Sequence, residues 1–220
     1  MKLIWSPDTA TKAYIDTVRS CQVFDGSGVA ELVSAMAAGW NAKLIVETWS
    51  QGGAIATSIG LEIASRHTCG RHVCVVPDES TRSEFITAMK EAADMNPQVL
   101  VGEPEEVMSE LVGIDFMVVD CKRKDYARVL RQARLNQRGA VLVCKNANSK
   151  SDSGFRWRSV VDCGSRRVVR TVFLPVGKGL DMAHVSSSGG TSGSGSSRVD
   201  KKRWIKHYDQ QSGEEHVIRK

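Results

Sequence analysis

The stretch that decides the fold is RVVRTVFLPVGKGLDMAHV, residues 167–185. It contains two apolar runs, 167–174 and 180–185, which are separated only by the residues from Pro175 to Gly179. Parallel strands need a crossover of about a dozen residues, whereas a connection this short joins antiparallel strands. The stretch therefore predicts a β-hairpin.

Ahead of this hairpin, short runs rich in Val, Ile and Leu alternate with longer helical stretches. That alternation is typical of βαβ units, and nearly continuous apolar runs are typical of parallel strands that are buried on both faces. Two further helices come first, beginning at Pro7 and ending at Gly39. The predicted strands are 43–47, 72–77, 98–101, 115–120 and 140–145, and the helices between them are 54–66, 80–93, 104–111 and 125–135.

Five parallel strands with helices on both faces, closed by an antiparallel hairpin, predict an α/β protein with a Rossmann-like fold. The terminal hairpin distinguishes the class I methyltransferase type, with its seven-stranded mostly parallel sheet, from a plain dinucleotide-binding domain. We expect one such domain over residues 1–185, with N-terminal helices in 1–40 and the core in 41–185. A Gly/Ser-rich flexible linker is predicted over 186–200, and a basic C-terminal tail over 201–220.

Composition narrows the class of protein. The chain of 220 residues is 41% hydrophobic and 25% charged, which is typical of a globular protein. Its net charge of +5 comes from short basic clusters, which are more often solvated than bound to nucleic acid, and no aromatic-interleaved motif accompanies them. No apolar run approaches the ~20 residues of a membrane span, and no secretory signal precedes the first helix. The six cysteines are scattered, so we expect a reducing compartment, the cytoplasm or the nucleus.

Ligands of open α/β sheets bind beyond the carboxyl ends of the strands. After the first predicted strand comes ETWSQGG, residues 47–53, which leads into a helix. A glycine turn lets a ligand approach the backbone, and an acid such as Glu47 can hold an amine or a hydroxyl. On its own, Gly52-Gly53 is more typical of an ordinary flexible turn than of a binding site.

Several spaced segments carry a family resemblance. They are Ser6-Pro7-Asp8, AELVSAMAAGWNAKLIVE (30–47), CGRHVCVVPD (69–78) and WIKHYDQQSGEEHV (204–217). Through them the chain resembles a plant family of uncharacterised proteins, a domain of unknown function in the S-adenosylmethionine-dependent methyltransferase superfamily. VDCKRKDY (119–126), Lys145-Asn146 and LPVGKG (174–179) more distantly resemble caffeoyl-coenzyme A O-methyltransferases.

The resemblance implies a site for S-adenosylmethionine. It places Glu47, Gly52 and Gly53 at the cofactor turn, Gly102 in the loop that faces the adenine, and Asp120 at the end of the fourth strand. The chain departs from the pattern at two places. Trp49 replaces the first glycine of the turn, where its bulk could block the methionine pocket. Pro77 replaces the acid that should hold the ribose, so Asp78 or Glu79 would have to substitute for it.

The resemblance also implies a catalytic centre, with Asp120, Lys145 and Asn146 as candidate residues. Caffeoyl-type enzymes hold a divalent cation with an aspartate after the fourth strand and an Asp-Asn pair after the fifth, as hard cations prefer. Lys145 stands in place of the second aspartate and would repel a cation, so we expect no divalent metal. Lys145 could hold an anionic substrate or act as a base, or it could form a salt bridge with Asp120, which we favour.

His67, Cys69, His72 and Cys74 lie within eight residues, but their spacing matches no common zinc module. We expect an ordinary helix–strand junction there.

Three functions remain open. The first is an S-adenosylmethionine-binding, methyltransferase-like protein that methylates a small molecule without metal. The second is a catalytically degenerate binding or regulatory module, acting as a homodimer or through a protein partner, which Trp49, Pro77 and Lys145 favour. The third, a nicotinamide-dependent oxidoreductase, lacks the motif G-x-G-x-x-G and ranks last.

Overall fold

The fold is built on a seven-stranded sheet, whose strand order is β3-β2-β1-β5-β7-β9-β8. It is described here from a computed structural model, which covers residues 5–24, 28–149, 155–161, 166–187, 204–208 and 215–219. The strands are β1 Leu44–Thr48, β2 Arg71–Val76, β3 Gln98–Val101, β4 Val112–Ile114, β5 Phe116–Asp120, β6 Arg134–Leu135, β7 Ala140–Lys145, β8 Arg166–Leu174, β9 Leu180–Ser187, β10 Trp204–Tyr208 and β11 Glu215–Arg219. The α-helices are α1 Pro7–Ser20, α2 Val29–Gly39, α3 Ile55–Thr68, α4 Glu79–Ala93, α5 Pro104–Glu110, α6 Tyr126–Gln132 and α7 Trp157–Val161.

Strand directions confirm the predicted fold class. The strands β3, β2, β1, β5 and β7 are parallel to their neighbours, whereas β9 is antiparallel to both β7 and β8. The connection between β8 and β9 turns at Gly177 and Gly179, both of which have a positive φ. Each predicted strand of this sheet lies within two residues of the observed one.

Two local predictions were wrong. The helix expected over 125–135 ends at Gln132, and Leu135 belongs instead to β6, which pairs with β4 in a separate two-stranded sheet. A strand of two residues is too short to show a hydrophobic periodicity in the sequence. β6 can therefore be recognised only from its pairing with β4 in the structure. Helix α7 was not predicted, because its five residues are too few for a helical repeat.

The C-terminal part of the chain, Gly190–Lys220, is a unit of its own. In it, β10 and β11 pair as an antiparallel hairpin, with Ile205 opposite Ile218. The predicted linker over 186–200 lies outside the described residues, apart from residues 186 and 187, which belong to β9.

The sheet separates two apolar layers. Helices α1 to α4 cover one face, where Ile45 and Val118 lie against side chains such as Phe85. Helices α5 to α7 cover the other face, where Val46 and Val119 pack. Neighbouring residues of a strand point to opposite faces, so strands covered on both sides must be apolar throughout. In the described residues, no helix is long and apolar enough to cross a membrane.

The contact between α2 and α3 depends on Gly60. A Cβ atom at this position would lie 2.6 Å from the carbonyl oxygen of Ala30. We expect Gly60→Ala to lower the free energy of unfolding by about 1–3 kcal/mol, because one helix must move away from the other. Urea denaturation measures this change. Ser83→Ala, on the exposed side of α4, should stay within about 0.5 kcal/mol of the wild type. A Gly60→Ala variant as stable as the wild type would contradict this close helix contact.

Candidate functional site

The carboxyl ends of β1, β2, β3 and β5 lie side by side at one edge of the sheet. The turn that follows β1 contains Gly52, whose φ is 71° and around which a Cβ atom would meet nothing within 4 Å. Its N–H donates to Oε1 of Glu84 on α4, at 3.2 Å. The backbone at Gly52 is therefore open on one side, and its conformation is one that favours glycine.

Trp49 lies beneath this turn. Only 2% of its surface is exposed, and its ring meets Phe85 of α4 edge to face, with 5.3 Å between the centroids. A Cβ atom at Gly53 would lie 2.6 Å from the indole Nε1, so the turn rests on the ring. Among the residues that the structure describes, none accepts a hydrogen bond from the indole N–H of Trp49. The bulk of the Trp49 ring is therefore accommodated in the helical layer under the turn.

Glu47 lies in the core, with 0% of its surface exposed. Its Oε1 is 3.2 Å from Nε2 of His72, while Nδ1 of His72 is 3.3 Å from Oε2 of Glu62 on α3. Burial lowers the pKa of His72, but the two carboxylates outweigh it and raise this pKa to about 9. Burial likewise raises the pKa of Glu47, and His72 with Lys145 brings it below its usual value. The result is an imidazolium between two carboxylates, so Glu47 cannot reach a ligand in this conformation.

Asp78 and Gly102 follow the neighbouring strands β2 and β3. Asp78 is the N-cap of α4, and its Oδ1 accepts a hydrogen bond of 2.7 Å from the N–H of Thr81. This bond lowers the pKa of the exposed Asp78 carboxyl, which is thus ionised at neutral pH. Gly102 has a φ of 150° and donates its N–H to the carbonyl of Val76. The structure brings these two residues and Gly52 to the ends of three adjacent strands.

Asp120 and Asn146 meet at the ends of β5 and β7. The amide Nδ2 of Asn146 lies 2.9 Å and 2.8 Å from the two oxygens of Asp120. Asn146 has a φ of 58°, a left-handed conformation that asparagine adopts more readily than most residues with a side chain.

The salt bridge that we favoured between Lys145 and Asp120 is absent: in the part of the chain that the structure describes, no ion pair involves Lys145. Instead, the side-chain amide of Asn146 lies next to the Asp120 carboxylate. Lys145 is only 6% exposed, and its charge acts on Glu47 inside the core.

Comparison with known proteins identifies the family. All of the chain, residues 1–220, matches the family described as Protein of unknown function (DUF1442). The chain belongs to the DUF1442 family. No curated protein matches the sequence.

The DUF1442 chain is similar to solved methyltransferase structures. A methyltransferase from Geobacter sulfurreducens has a TM-score of 0.54 at 19% identity, over 81% of this chain and 90% of that one. A methyltransferase from Podospora anserina, solved with S-adenosylhomocysteine bound, has a TM-score of 0.54 at 14% identity, over 83% of this chain and 89% of that one. A putative caffeoyl-CoA O-methyltransferase from Staphylococcus aureus has a TM-score of 0.52 at 15% identity, over 77% and 91%. At these identities, the similarity establishes the fold.

The His/Cys segment of the DUF1442 chain does not converge. His67 pairs with Asp16 of α1 at 2.8 Å, whereas His72 points to Glu47 and Glu62. Cys74 is buried in β2, and Cys69 is exposed. Among the described residues, no group of three or more His, Cys, Asp or Glu side chains is placed to hold a metal ion.

Sequence reasoning missed the partners of Glu47. His72 was assigned to an ordinary helix–strand junction in preference to a zinc site, and Glu62 was not singled out. One signal was available: His72 and Lys145 are charged or chargeable side chains within apolar strands, and such groups are rarely buried without a partner. The pattern identifies them as paired, but it does not say with which residue.

Proposed function

We propose that this DUF1442 protein binds S-adenosylmethionine or a related nucleoside at the carboxyl edge of the sheet and methylates a small molecule without a divalent metal. One observation carries the proposal: Gly52, Asp78 and Gly102 lie at the ends of the three adjacent strands β1, β2 and β3. The Podospora anserina protein, which has the same fold, was solved with S-adenosylhomocysteine bound. For the DUF1442 protein itself, the plant origin and the cellular compartment stay predictions from sequence.

The residues present fit a nucleoside. Gly52 leaves open space at the turn, and the exposed Asp78 carboxylate can accept hydrogen bonds from the two hydroxyls of a ribose. At Gly102, a Cβ atom would lie 3.0 Å from Val107, so a glycine keeps that loop close to α5. The indole N–H of Trp49, at the base of the turn, is a donor that has no acceptor within the described part of the chain.

The nucleoside would supply an electrophilic methyl group, and the protein would contribute mainly position. The pairing of Asp120 with Asn146 holds both side chains in one orientation at the carboxyl edge. A substrate held there in line with the methyl group gains rate from proximity and orientation. Glu47 becomes a positioning residue, because its ion pairs tie β1 to β2 and, through His72, to α3.

The donor set does not fit a divalent metal. Asp120 and Asn146 offer few oxygens, whereas Mg²⁺ and Ca²⁺ take six or more oxygen ligands, partly from water. By the resemblance to caffeoyl-type enzymes, Lys145 stands in place of the second aspartate. The proposed methyl transfer therefore uses no metal ion.

A second candidate function, a binding module without catalysis, is favoured by one observation. Asp120 is engaged by Asn146, and Glu47 by His72, so two of the three acids of the predicted site already have side-chain partners. Incubation with S-adenosylmethionine and a panel of small-molecule acceptors distinguishes the two candidates. Acceptor-dependent formation of S-adenosylhomocysteine supports catalysis, and nucleoside binding without it supports the module.

Titration calorimetry with S-adenosylmethionine and S-adenosylhomocysteine tests the binding site. We expect Asp78→Ser to weaken binding about tenfold or more, because a hydrogen bond to a charged group is worth roughly 1.5–3 kcal/mol. Serine is also a good N-cap, so α4 should be retained. Glu79→Gln, the matched control on the neighbouring acid, should change the affinity by less than about twofold. Absence of binding by the wild type at millimolar concentration would refute the proposed site.

A further inference from the structure

A cavity lies at the opposite edge of the sheet from the proposed nucleoside site. It has a volume of about 830 Å³ and opens between the end of α2 and the strands β7, β9 and β8. Lys43, which precedes β1, and Asp115, which precedes β5, place it at the amino ends of the parallel strands. Its volume is within the range of small-molecule sites, which is about 300–1,000 Å³.

The walls of this amino-edge cavity are largely aromatic and apolar. The indole of Trp5 lies directly on Gly39, and 46% of Trp5 remains exposed. Trp40 meets the imidazole of His184 edge to face, with the ring centroids 4.8 Å apart. Met36 and Met182 also line the cavity. Two indoles at one opening can take a planar ring between or against them.

The residues that line the cavity carry more positive than negative charge. Three cationic residues, Lys43, Arg138 and Arg170, line it together with one acid, Asp115. The ammonium of Lys43 is engaged elsewhere, since it donates to the carbonyl of Thr68. Asp115 is already engaged, since its Oδ2 accepts the N–H groups of Lys43 and Leu44 at 2.8 Å and 3.0 Å. Among the described residues, neither Arg138 nor Arg170 forms an ion pair. Burial and the charge of Arg170 lower the pKa of His184, which therefore adds no charge at neutral pH.

A β-bulge directs Arg170 into the cavity. Val168 pairs with Val185, and both belong to the apolar layer under α5 to α7. Because side chains alternate along a strand, Arg170 would normally share that face. The register shifts at Val169, however, so that Arg170 pairs with His184, on the side of Trp40. Bulges that turn a side chain in this way are frequent beside binding sites.

We propose that the amino-edge cavity binds an anionic aromatic small molecule. The ring lies against Trp5 and Trp40, and the carboxylate or phosphate faces Arg170 and Arg138. Nothing in this proposal depends on the nucleoside site, which lies at the other end of the strands.

The edge strand β8 also exposes Val169 and Phe173, at 57% and 50%, so a second copy of the chain is the competing occupant. The unpaired arginines favour an anion over a second copy, because self-association would bring like charges together.

Fluorescence titration with anilinonaphthalene sulfonate, an aromatic anion, tests the proposal. The wild type should bind one equivalent, and Arg170→Gln should weaken binding about tenfold. Phenylnaphthylamine, the same ring system without the sulfonate, should bind the wild type and Arg170→Gln alike. Arg167→Gln is the matched control, since Arg167 is exposed on the same strand but does not line the cavity. Trp40→Ala should weaken the binding of both probes.

Further measurements decide between the outcomes. Circular dichroism must show that each variant is folded, because this probe also binds partly unfolded chains. Displacement of the probe by naphthoate or by naphthyl phosphate identifies the anion. Equal binding by the wild type and Arg170→Gln, or equal losses in Arg167→Gln and Arg170→Gln, would overturn the proposal. So would a wild-type dimer that excludes the probe and that Phe173→Asp dissociates.

Discussion

Replacing His72 with leucine is expected to lower the free energy of unfolding by about 3–5 kcal/mol, measured by urea denaturation near pH 6. The side chains of His72 and Glu47 are both 0% exposed, and that of Glu62 is only 14% exposed. Removing the imidazolium leaves the buried Glu47 carboxylate without its ion-pair partner, whereas Glu62 keeps Arg66 at 3.4 Å. A buried charge that has lost its partner is among the most destabilising changes a single substitution can make.

The contribution of His72 depends on pH in a defined direction. Its pKa is raised from 6.5 to about 9 in the folded protein, so its stabilisation is fully present below pH 6.5 and is lost as pH rises through about 9. The pKa of Glu47 is lowered from 4.5, so its stabilisation is present above pH 4.5 and is lost as pH falls. The difference between the wild type and His72→Leu should therefore shrink from pH 6.5 to pH 9.

Two further variants isolate the effect. His67→Leu is the matched control, because His67 and its partner Asp16 are partly exposed and such a pair is worth less than about 1 kcal/mol. The double variant His72→Leu with Glu47→Leu removes the charge along with its partner, so it should recover most of the lost stability. A His72→Leu variant that is no less stable than His67→Leu would contradict the buried ion pairs.

Replacing Trp49 with alanine is expected to cost about 3–5 kcal/mol of stability, because a buried indole is lost and Phe85 and Gly53 then border a cavity. Thermal or urea denaturation measures this. Trp5→Ala is the matched control, since Trp5 is half exposed and should cost less than half as much.

The variant Trp49→Gly restores the glycine of the caffeoyl-type turn and tests where the indole lies. Because the ring packs under the turn, we expect this variant to lose stability without gaining affinity for S-adenosylmethionine. Stronger binding at unchanged stability would show that the ring stands in the methionine pocket.

The sequence allowed part of the candidate site to be placed and left part of it open. Gly52, Asp78 and Gly102 could be assigned to one edge because each follows a strand that is recognisable locally. Glu47 was assigned to the same edge for the same reason, yet its side chain turns into the core. The choice between ligand and core depends on His72, which is paired to it from another strand.

Lys145 illustrates the same limit. Lys145 ends β7 and lies beside Asp120, its register partner on β5, and a salt bridge between them was expected. The left-handed backbone of Asn146 brings a neutral amide to the carboxylate instead. No pattern along the chain distinguishes these two partners.

By itself, the sequence determined the order of strands and helices, the parallel core and the closing hairpin, because apolar periodicity and connection length are local properties. Only the tertiary structure decided which polar groups meet. The ion pairs of His72 join β1, β2 and α3. The amino-edge cavity depends on a one-residue bulge at Val169 and on two indoles, one just before α1 and one just after α2. These contacts link residues that are distant in the chain, and their energies depend on burial, which no short stretch of sequence specifies.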